Sequence, residues 1–375
     1  MSRKRIGINA SFLRKLGTGV GQVTLNVLRN FDGEDTENEA VLFLEEESDL
    51  DVLNDFQTQV FLPLYKRDDL IRKILWEKFL LPKKAQNMGC EKFVSLYQCP
   101  TIFSKDMDHT MVVHDIIPKL FPEYLNNWRK KLYWSLTEKA IKDASRIVTI
   151  SENTRKDLVR ELNIEEEKII VKNINIDEVY RRSIGEEEKK RILEKYNLEK
   201  GYVYSGGGME KRKNLDSLIV AYKNLLEKNA NIPPLVISGK LMPELAPLAI
   251  DVERLVDELG LEGKVRLLGF VPQEDLPVIY KSAILFVYPS LYEGFGMPVL
   301  EAMSQGVPVL ASSASSIPEV GGDAVEYFDP ENVQELQEKM ENILNNQEER
   351  ESLSERGLQR AKSFSWRGFV EELIK

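Results

Sequence analysis

Short apolar runs alternate along the chain with longer stretches whose apolar residues recur at helical spacing. Runs of this length and composition are typical of strands buried in a sheet. The clearest of them cover residues 5–10, 40–44, 110–113, 145–150, 202–205, 234–239, 265–271 and 284–288. Strands that alternate with helices form parallel sheets with helices on both faces. The pattern therefore predicts an α/β fold with two doubly wound domains that face a cleft.

The charged stretch over residues 178–200 is expected to connect two Rossmann-like domains. We predict that residues 1–178 form the N-terminal domain and that residues 179–362 form the C-terminal domain. A helix near Trp366, within residues 363–375, is expected to pack back on the first domain. A chain of 375 residues is long enough for two domains with separate cores.

The most informative stretch runs from Pro289 to Pro308, directly after an apolar run. A helix is predicted from Pro298, because proline suits the first helical position. The preceding loop, Glu293 to Gly296, places free N–H groups at a helix N-terminus, which suits phosphate or sugar oxygens. Glu293 and Glu301 are expected to face one crevice. The alternative is an ordinary connection between a strand and a helix.

Two further glycine-rich loops follow predicted strands. Gly17, Gly19 and Gly21 match a dinucleotide-binding fingerprint only in part. The second loop, residues 205–208, leads into Arg212 and Lys213. Fixed cations at this place can bind an anionic ligand without a metal ion. The alternative is a basic turn on the surface.

His114 follows the predicted strand over residues 110–113, at the end where open α/β sheets place ligands. A structural histidine is the alternative interpretation. Asp106 and Asp108 precede this strand, so we do not expect them to bind a metal ion. No other cluster of His and Asp is present in the sequence, and we predict no metal site.

Composition is that of a soluble globular protein, with 42% hydrophobic and 30% charged residues. The sequence contains no run of 18 apolar residues and no apolar signal core near its start. Cys90 and Cys99 lack metal-ligand spacing and suggest no disulfide framework, so a reducing cytoplasm is expected. The net charge of −10 argues against nucleic acid as a partner.

The net charge is carried by the second half of the chain, because residues 1–182 hold 29 basic and 29 acidic residues. Eleven of those acids lie in residues 32–55, which leaves the rest of the first half basic. Residues 64–85 predict a basic amphipathic helix, which can lie on an anionic bilayer surface. The alternative is a helix that packs on the core with a solvated basic face. A second basic helix is predicted over residues 128–142, with its aromatic residues in the core.

Glu293 and Glu301, the pair Lys213–Asn214 and the segment Ile317–Glu319 together resemble retaining glycosyltransferases of family 4 with the GT-B architecture, also described as glycosyltransferase group 1. The resemblance spans nearly the whole chain. It implies metal-independent, retaining transfer of a hexose from a nucleotide sugar of the GDP-mannose or UDP-glucose type to a polysaccharide or lipid-linked oligosaccharide. The donor is a substrate, and no cofactor is implied.

The resemblance also implies a role for each domain and a location for the protein. The first domain would bind the acceptor and the second would bind the donor. The enzyme would act in the cytoplasm in polysaccharide biosynthesis, with peripheral contact to the inner face of the membrane through the basic N-terminal helices.

The resemblance implies individual roles for site residues. His114, Glu293 and Lys213 would be catalytic, with His114 over the donor sugar and Lys213 on the diphosphate. Glu301 would bind the ribose hydroxyls. The residues implied in donor binding are Gly19, Gly207, Arg212, Lys213, Phe270, Val271, Leu276, Phe295, Gly296, Met297 and Glu301. Gly207 stands where many relatives have an arginine, and Arg212 is the candidate to replace it.

Two other classes of protein stay open from the sequence. A nucleotide-sugar epimerase would need further acid–base residues, whereas His109 and His114 are the only histidines. A non-catalytic protein that binds sugar nucleotides would keep Lys213 and Glu301 but would not need Glu293 or His114. The sequence leaves the sugar, the base, the acceptor, the linkage and the oligomeric state open.

Overall fold

The computed structural model of the protein describes residues 4–31, 38–62, 69–104, 106–241 and 248–375. The chain divides into two compact units. The first unit contains the chain up to Ile174 together with Ser365–Lys375, and the second contains Asn175–Phe364.

The sheet of the first unit has seven strands among the described residues, and every neighbouring pair is parallel. The strands are β1 Lys4–Asn9, β2 Asn38–Leu44, β3 Gln57–Val60, β4 Lys92–Ser95, β5 Asp108–Val113, β6 Arg146–Thr149 and β7 Ile169–Val171. Their spatial order is β3-β2-β1-β4-β5-β6-β7. Ile6 on β1 lies opposite Ala40 on one side and Lys92 on the other. The winding therefore reverses between β1 and β4, as in doubly wound folds.

Several helices of the first unit begin after a residue whose side chain caps them. The threonine hydroxyl of Thr18 accepts the N–H of Gly21 at 3.2 Å, and Ser151 accepts the N–H of Thr154 at 3.1 Å. The α-helices are α1 Gly19–Arg29, α2 Asp69–Leu75, α3 Leu81–Asn87, α4 Ile117–Leu120, α5 Trp128–Asp143 and α6 Glu152–Leu162. The 3₁₀ turns are Ser11–Lys15, Asp51–Asp55, Pro122–Leu125 and Glu166–Lys168.

The helix predicted over residues 64–85 lies outside the described residues before Asp69. From there it consists of α2, a π-helical turn over Trp76–Leu80 and α3. The turn carries the fully buried Glu77, whose carboxylate accepts the hydroxyls of Tyr97 at 2.5 Å and Tyr133 at 2.9 Å. A π-helical turn contains one residue more than an α-helical turn, so it changes the direction in which the side chains of the helix point.

The second unit repeats the same winding with six parallel strands in the part of the chain that is described. The strands are β8 Tyr202–Ser205, β9 Leu235–Ile237, β10 Val265–Leu267, β11 Ala283–Tyr288, β12 Val309–Ser312 and β13 Glu326–Phe328. Their spatial order is β10-β9-β8-β11-β12-β13, so the winding reverses between β8 and β11. The predicted α/β class with two parallel, doubly wound sheets is confirmed.

The α-helices of the second unit are α7 Glu186–Lys195, α8 Leu215–Lys228, α9 Val252–Glu258, α10 Leu276–Ser282, α11 Met297–Ser304, α12 Ile317–Gly321, α13 Val333–Asn345 and α14 Gln347–Ala361. The 3₁₀ turns are Glu178–Arg181, Lys211–Lys213 and Gly322–Ala324. Apolar residues of α8 and α13, including Leu218, Tyr222 and Leu336, pack with β8 and β9 in one core. None of the described helices is both long enough and apolar enough to cross a membrane.

The last helix, α15 Arg367–Ile374, belongs to the first unit. Its residues Phe369, Val370 and Leu373 are buried. The guanidinium of Arg146, at the start of β6, donates to the carboxylate of Glu372 at 3.2 Å and to its carbonyl oxygen at 2.8 Å. Apolar packing and this ion pair together hold the C-terminal helix on the first unit.

Candidate active site

Most of the predicted donor-binding residues lie at the switch point of the second unit, where β8 and β11 end side by side. β8 ends at Ser205 and continues into the glycine loop, Gly206 to Gly208. β11 ends at Tyr288 and leads to Glu293. Because the carboxyl ends of parallel strands share one edge of the sheet, residues from both loops meet there. This crevice is the usual ligand site of open α/β sheets.

Gly207 occupies a backbone conformation that other residues rarely adopt, with φ at 113°. A Cβ atom at this position would lie 3.2 Å from the ring of Tyr288 and 3.4 Å from Pro298. The loop therefore packs directly on the end of β11. A side chain at position 207 would require the phenol ring of Tyr288 to shift by a few tenths of an ångström.

Lys213 is placed by the short turn that precedes α8. The next residue, Asn214, is left-handed with φ at 56°, and its amide donates to the carbonyls of Pro289 at 3.1 Å and Pro330 at 2.8 Å. These bonds tie the turn to the end of β11. The Lys213 ammonium, only 8% exposed, donates to Glu293 at 2.6 Å and to the hydroxyl of Tyr288 at 3.0 Å.

Glu293 is the most heavily coordinated carboxylate of this crevice. Its Oε1 accepts from Lys213, from Tyr288 at 2.7 Å and from Ser290 at 2.6 Å. Its Oε2 accepts from Arg212 at 3.0 Å. Burial alone would raise the pKa of Glu293, but the charges of Lys213 and Arg212 and the hydrogen bonds lower that pKa to about 2. Glu293 is therefore a fixed anion at neutral pH.

The guanidinium of Arg212 is a second cation beside the ammonium of Lys213. Its guanidinium pairs with Glu210 at 2.6 Å as well as with Glu293, and it donates to the carbonyl of Tyr292 at 3.1 Å. Burial and the neighbouring Arg212 charge lower the pKa of the Lys213 ammonium. Two cations and two carboxylates thus form one cluster, and an anionic ligand would compete with the carboxylates for the cations.

The loop before α11 is rigidly placed. Gly296 caps the helix with φ at 110°, and Phe295 is only 3% exposed. The hydroxyl of Ser316 lies 2.9 Å from the carbonyls of both Glu293 and Phe295. Met297 has the first N–H of α11, Pro298 has none, and the N–H of Val299 donates to the carbonyl of Gly296 at 3.0 Å. The N–H groups that can bind oxygen atoms of a ligand at this helix end are therefore those before Pro298.

Glu301 lies in the second turn of α11 and is partly buried. Its carboxylate accepts the hydroxyl of Tyr280 at 2.8 Å, and Tyr180 also lies against it. Burial raises the pKa of Glu301 to about 7, although the tyrosine hydrogen bonds oppose that rise. Its pKa is thus far above that of Glu293, eight positions earlier.

The residues predicted to hold a nucleotide base surround the start of α10. Phe270 is 61% exposed, Val271 is buried, and Leu276 is the first residue of α10. An aromatic ring this exposed is unusual for a core residue and is available for stacking on a flat ligand.

Two of the predicted site residues, Gly19 and His114, belong to the first unit. Gly19 is the first residue of α1 and is exposed. His114 follows β5 and is 5% exposed, and its Nε2 donates to the carbonyl of Leu96 at 2.8 Å. Burial lowers the pKa of His114 to about 4, so the ring is neutral at pH 7. His109 is also buried and lies 2.9 Å from the hydroxyl of Ser95.

Sequence reasoning missed the hydroxyl groups that surround the two glutamates. Tyr288 and Ser290 flank Pro289 in the key stretch and both reach Glu293, whereas Tyr180 and Tyr280 serve Glu301. A tyrosine that ends a buried strand at a switch point is the one signal that was available. Within the described ranges, no group of three His, Cys, Asp or Glu side chains is placed to hold a metal ion.

The chain has two doubly wound units, and a cluster of cations and carboxylates lies at the switch point of the second. This arrangement is typical of α/β enzymes that bind anionic ligands. Residues 186–360 match the family of glycosyl transferases group 1. The O-antigen chain mannosyltransferase B of Escherichia coli is 38% identical over 70% of this chain and 68% of the relative's length. The protein therefore belongs to the glycosyl transferases of group 1, and the predicted family is confirmed.

Two other similarities are weaker, the first in the share of the chain that it covers and the second in sequence identity. A serotype-specific mannosyltransferase of Escherichia coli, WbdA, is 36% identical over 41% of this chain, which covers only 19% of that relative's length. The structure of HepE from Anabaena, in complex with UDP and glucose, superposes with a TM-score of 0.74 over 100% of this chain and 98% of that one, at 16% identity. At that identity the structural likeness shows the fold alone.

Proposed function

We propose that the protein is a metal-independent, retaining hexosyltransferase that uses a nucleotide sugar of the GDP-mannose or UDP-glucose type. The observation that carries the proposal is the pairing of Lys213 and Arg212 with Glu293 at the switch point of the second unit. Two fixed cations can neutralise a departing nucleoside diphosphate, which is the role that a metal ion has in other transferases.

The donor is proposed to lie along the crevice of the second unit, Asn175–Phe364. Lys213, Arg212 and the loop at Gly207 receive the diphosphate, and Glu301 receives the ribose hydroxyls. Glu293 and the N–H groups of Phe295, Gly296 and Met297 bind the hydroxyls of the sugar. The base lies against Phe270, Val271 and Leu276. The first unit, which contains the chain up to Ile174 together with Ser365–Lys375, is proposed to bind the acceptor, and Gly19 and His114 are its proposed site residues.

Retention of configuration is proposed to occur on one face of the sugar. Glu293 is a poor nucleophile, because both of its oxygens accept hydrogen bonds. The bond from the anomeric carbon to the diphosphate oxygen breaks, and the acceptor oxygen bonds to the same face. The acceptor's proton passes to the departing diphosphate oxygen, so that charge and atoms balance.

The acceptor is proposed to be a growing polysaccharide or a lipid-linked oligosaccharide at the inner face of the membrane. The names of the relatives, O-antigen chain and serotype-specific mannosyltransferases, support a mannosyl donor and a glycan acceptor. The structure of HepE, which has the same fold, contains UDP and glucose, and the UDP alternative stays in the proposal beside GDP.

Peripheral membrane contact is proposed through α5 and the π-helical turn of the first unit. Trp128 is 65% exposed, Phe79 55% and Leu132 41%. The exposed positions of α5 are Trp128, Arg129, Lys131, Leu132, Ser135, Lys139, Lys142 and Asp143. The hydroxyl of Tyr133 binds Glu77 at 2.9 Å and holds the two helical segments together. Exposed aromatic and basic side chains on one helix suit an anionic bilayer surface.

The membrane proposal is tested by co-sedimentation with vesicles that contain anionic lipid. Trp128→Ser combined with Leu132→Ser should reduce binding severalfold, as should charge reversal at Lys83 and Lys84. Leu358→Ser is the matched control, since Leu358 is equally exposed but lies in the second unit. Equal binding by all variants, or none by the native protein, would end this part of the proposal.

The donor proposal is tested by a thermal-shift panel of GDP-mannose, UDP-glucose, UDP-galactose, UDP-N-acetylglucosamine, GDP and UDP, with and without EDTA. A ligand that binds only the folded state raises the melting temperature. We expect a rise with one nucleotide family that EDTA does not remove. A rise that EDTA abolishes would overturn metal independence, and no rise at all would overturn the donor site. Analysis of the product's anomeric configuration then tests retention.

A further inference from the structure

We infer that Tyr288 is a positioning residue of the transfer reaction. Its hydroxyl keeps Glu293 hydrogen-bonded and ionised when the ammonium of Lys213 turns from Glu293 to the donor diphosphate. This inference rests on the proposed function and assigns a role to a side chain outside the predicted site. Tyr288 ends β11 and is only 1% exposed.

The phenol of Tyr288 contacts each part of the crevice that the proposed mechanism uses. Its hydroxyl donates to Glu293 at 2.7 Å and accepts from Lys213 at 3.0 Å. The ring edge lies beneath Gly207, where a Cβ atom would approach it to 3.2 Å. One rigid side chain therefore sets the spacing between the glycine loop, the cation and the carboxylate.

Three donors converge on the same oxygen of Glu293, which is more than a carboxylate oxygen usually needs. Lys213, Tyr288 and Ser290 all lie within 2.7 Å of Oε1. A diphosphate that binds Lys213 removes one of them. The two hydroxyls that remain can then keep the buried carboxylate satisfied, which an isolated buried charge requires.

Tyr288 is better suited to this task than Ser290. The Ser290 hydroxyl has one proton, and the carbonyls of Arg212 at 3.0 Å and Tyr292 at 3.4 Å compete with Glu293 for it. The Tyr288 hydroxyl has Glu293 as its sole acceptor among the described residues. Its ring is also fixed, because it stacks on Phe286 with centroids 5.9 Å apart.

The charges around Glu293 define what the removal of this hydroxyl should change. Lys213 and Arg212 face the carboxylate, Glu210 pairs with Arg212, and Glu301 lies within electrostatic range of Tyr288. With a donor bound, part of the cationic charge is shared with the diphosphate. Without the Tyr288 hydroxyl, the pKa of Glu293 should then rise, because a hydrogen bond to the charged form is lost.

The experiment compares Tyr288→Phe with Tyr222→Phe in the full chain. Tyr222 is an equally buried tyrosine on α8, whose hydroxyl donates to the carbonyl of Pro233 at 2.9 Å, outside the crevice. For Tyr288→Phe we expect kcat to fall about tenfold, with the acid limb of the kcat–pH profile moved up by about one unit. The donor KM should change less than kcat. Tyr222→Phe should lower the melting temperature alone.

Two patterns separate the possible failures. If the native protein binds and turns over a donor but Tyr288→Phe and Tyr222→Phe give the same kcat and pH profile, the role of Tyr288 is overturned and the proposed function stands. If the native protein binds none of the nucleotides in a thermal-shift assay, the proposed function is overturned and this inference falls with it. A fall in kcat without movement of the acid limb would also contradict the role, because it would indicate a structural effect only.

Discussion

The ammonium of Lys213 lies 2.6 Å from the carboxylate of Glu293, although the two residues are 80 positions apart in the chain. Both side chains are buried, and both belong to loops that leave neighbouring strands, β8 and β11. A buried ion pair is costly to form unless further hydrogen bonds satisfy its members. Tyr288, Ser290 and Arg212 supply those bonds here. The pair is therefore a preorganised site, and its cation is available to an incoming anion.

The Lys213→Ala variant should lose transfer activity because the diphosphate loses its nearest cation. We expect kcat/KM to fall by about 10²–10³-fold, as for the removal of one preorganised donor at developing negative charge. Lys211→Ala is the matched control, since Lys211 is exposed on the same turn. Steady-state kinetics at saturating acceptor measure the effect. A loss of less than about threefold would show that Lys213 does not contact the diphosphate.

The low pKa of Glu293 predicts how stability depends on pH. A carboxyl group whose pKa is about 2 in the folded state, against an ordinary 4.5, stabilises the fold above pH 4.5. That contribution, about 3 kcal/mol at neutral pH, is lost as the pH falls through 4.5 towards 2.

Urea unfolding at several pH values between 2 and 7 measures this dependence, since the unfolding free energy extrapolates linearly with urea concentration. The Glu293→Gln variant should be less stable at pH 7 and should show a shallower decline on acidification. The same slope in both proteins would contradict the assignment of the shift to Glu293.

Glu301 should make nucleotide binding depend on pH near neutrality. Burial raises its pKa to about 7, so at pH 6 the carboxyl is largely protonated in the free protein. If the ribose hydroxyls donate to the ionised form, affinity for GDP or UDP should increase as the pH rises through 7 and then level off. The groups that surround this carboxyl and set the midpoint of its titration are Tyr280, Tyr180, Asp177 and Lys213.

Isothermal titration calorimetry with the nucleotide that gives the larger thermal shift measures this effect between pH 5.5 and 8.5. We expect Glu301→Gln to bind about tenfold more weakly at pH 8 and to lose the dependence on pH. Glu331→Gln, at an exposed position of the same unit, is the control. An unchanged pH dependence in Glu301→Gln would assign the titration to another group.

The architecture of both units could be predicted from the sequence because it is encoded locally. Apolar runs specify the strands, and glycine loops and caps specify where the helices follow. α1 begins at Gly19, because the side chain of Thr18 caps it. The spatial order of the strands comes from crossovers between distant segments, and no local pattern encodes it.

The candidate site could be predicted only as far as its residues are local in sequence. Glu293, Glu301 and the N-terminus of α11 belong to one segment. The pairing of Glu293 with Lys213 depends on β8 and β11 becoming neighbours, so the sequence alone does not specify it.

The aromatic residues of α5 were predicted to lie in the core, and this is wrong for one of them. Trp134 is 7% exposed, but Trp128 is 65% exposed. Six residues at 100° per residue place the two side chains on different faces of the helix.

The contact between Gly207 and Tyr288 gives the last prediction. Gly207 and Gly208 have nearly the same positive φ, 113° and 109°. A Cβ atom at position 207 would meet the Tyr288 ring at 3.2 Å, whereas nothing lies within 4 Å of one at position 208. Both Gly→Ala variants should lose about 1–2 kcal/mol to backbone strain, and Gly207→Ala should lose more because it displaces the ring. Gly207→Ala should also move the acid limb of the kcat–pH profile in the direction expected for Tyr288→Phe. Thermal unfolding and pH-rate profiles of the two variants test this prediction. Equal losses of stability and equal pH-rate profiles would show that the position of the Tyr288 ring does not govern the ionisation of Glu293.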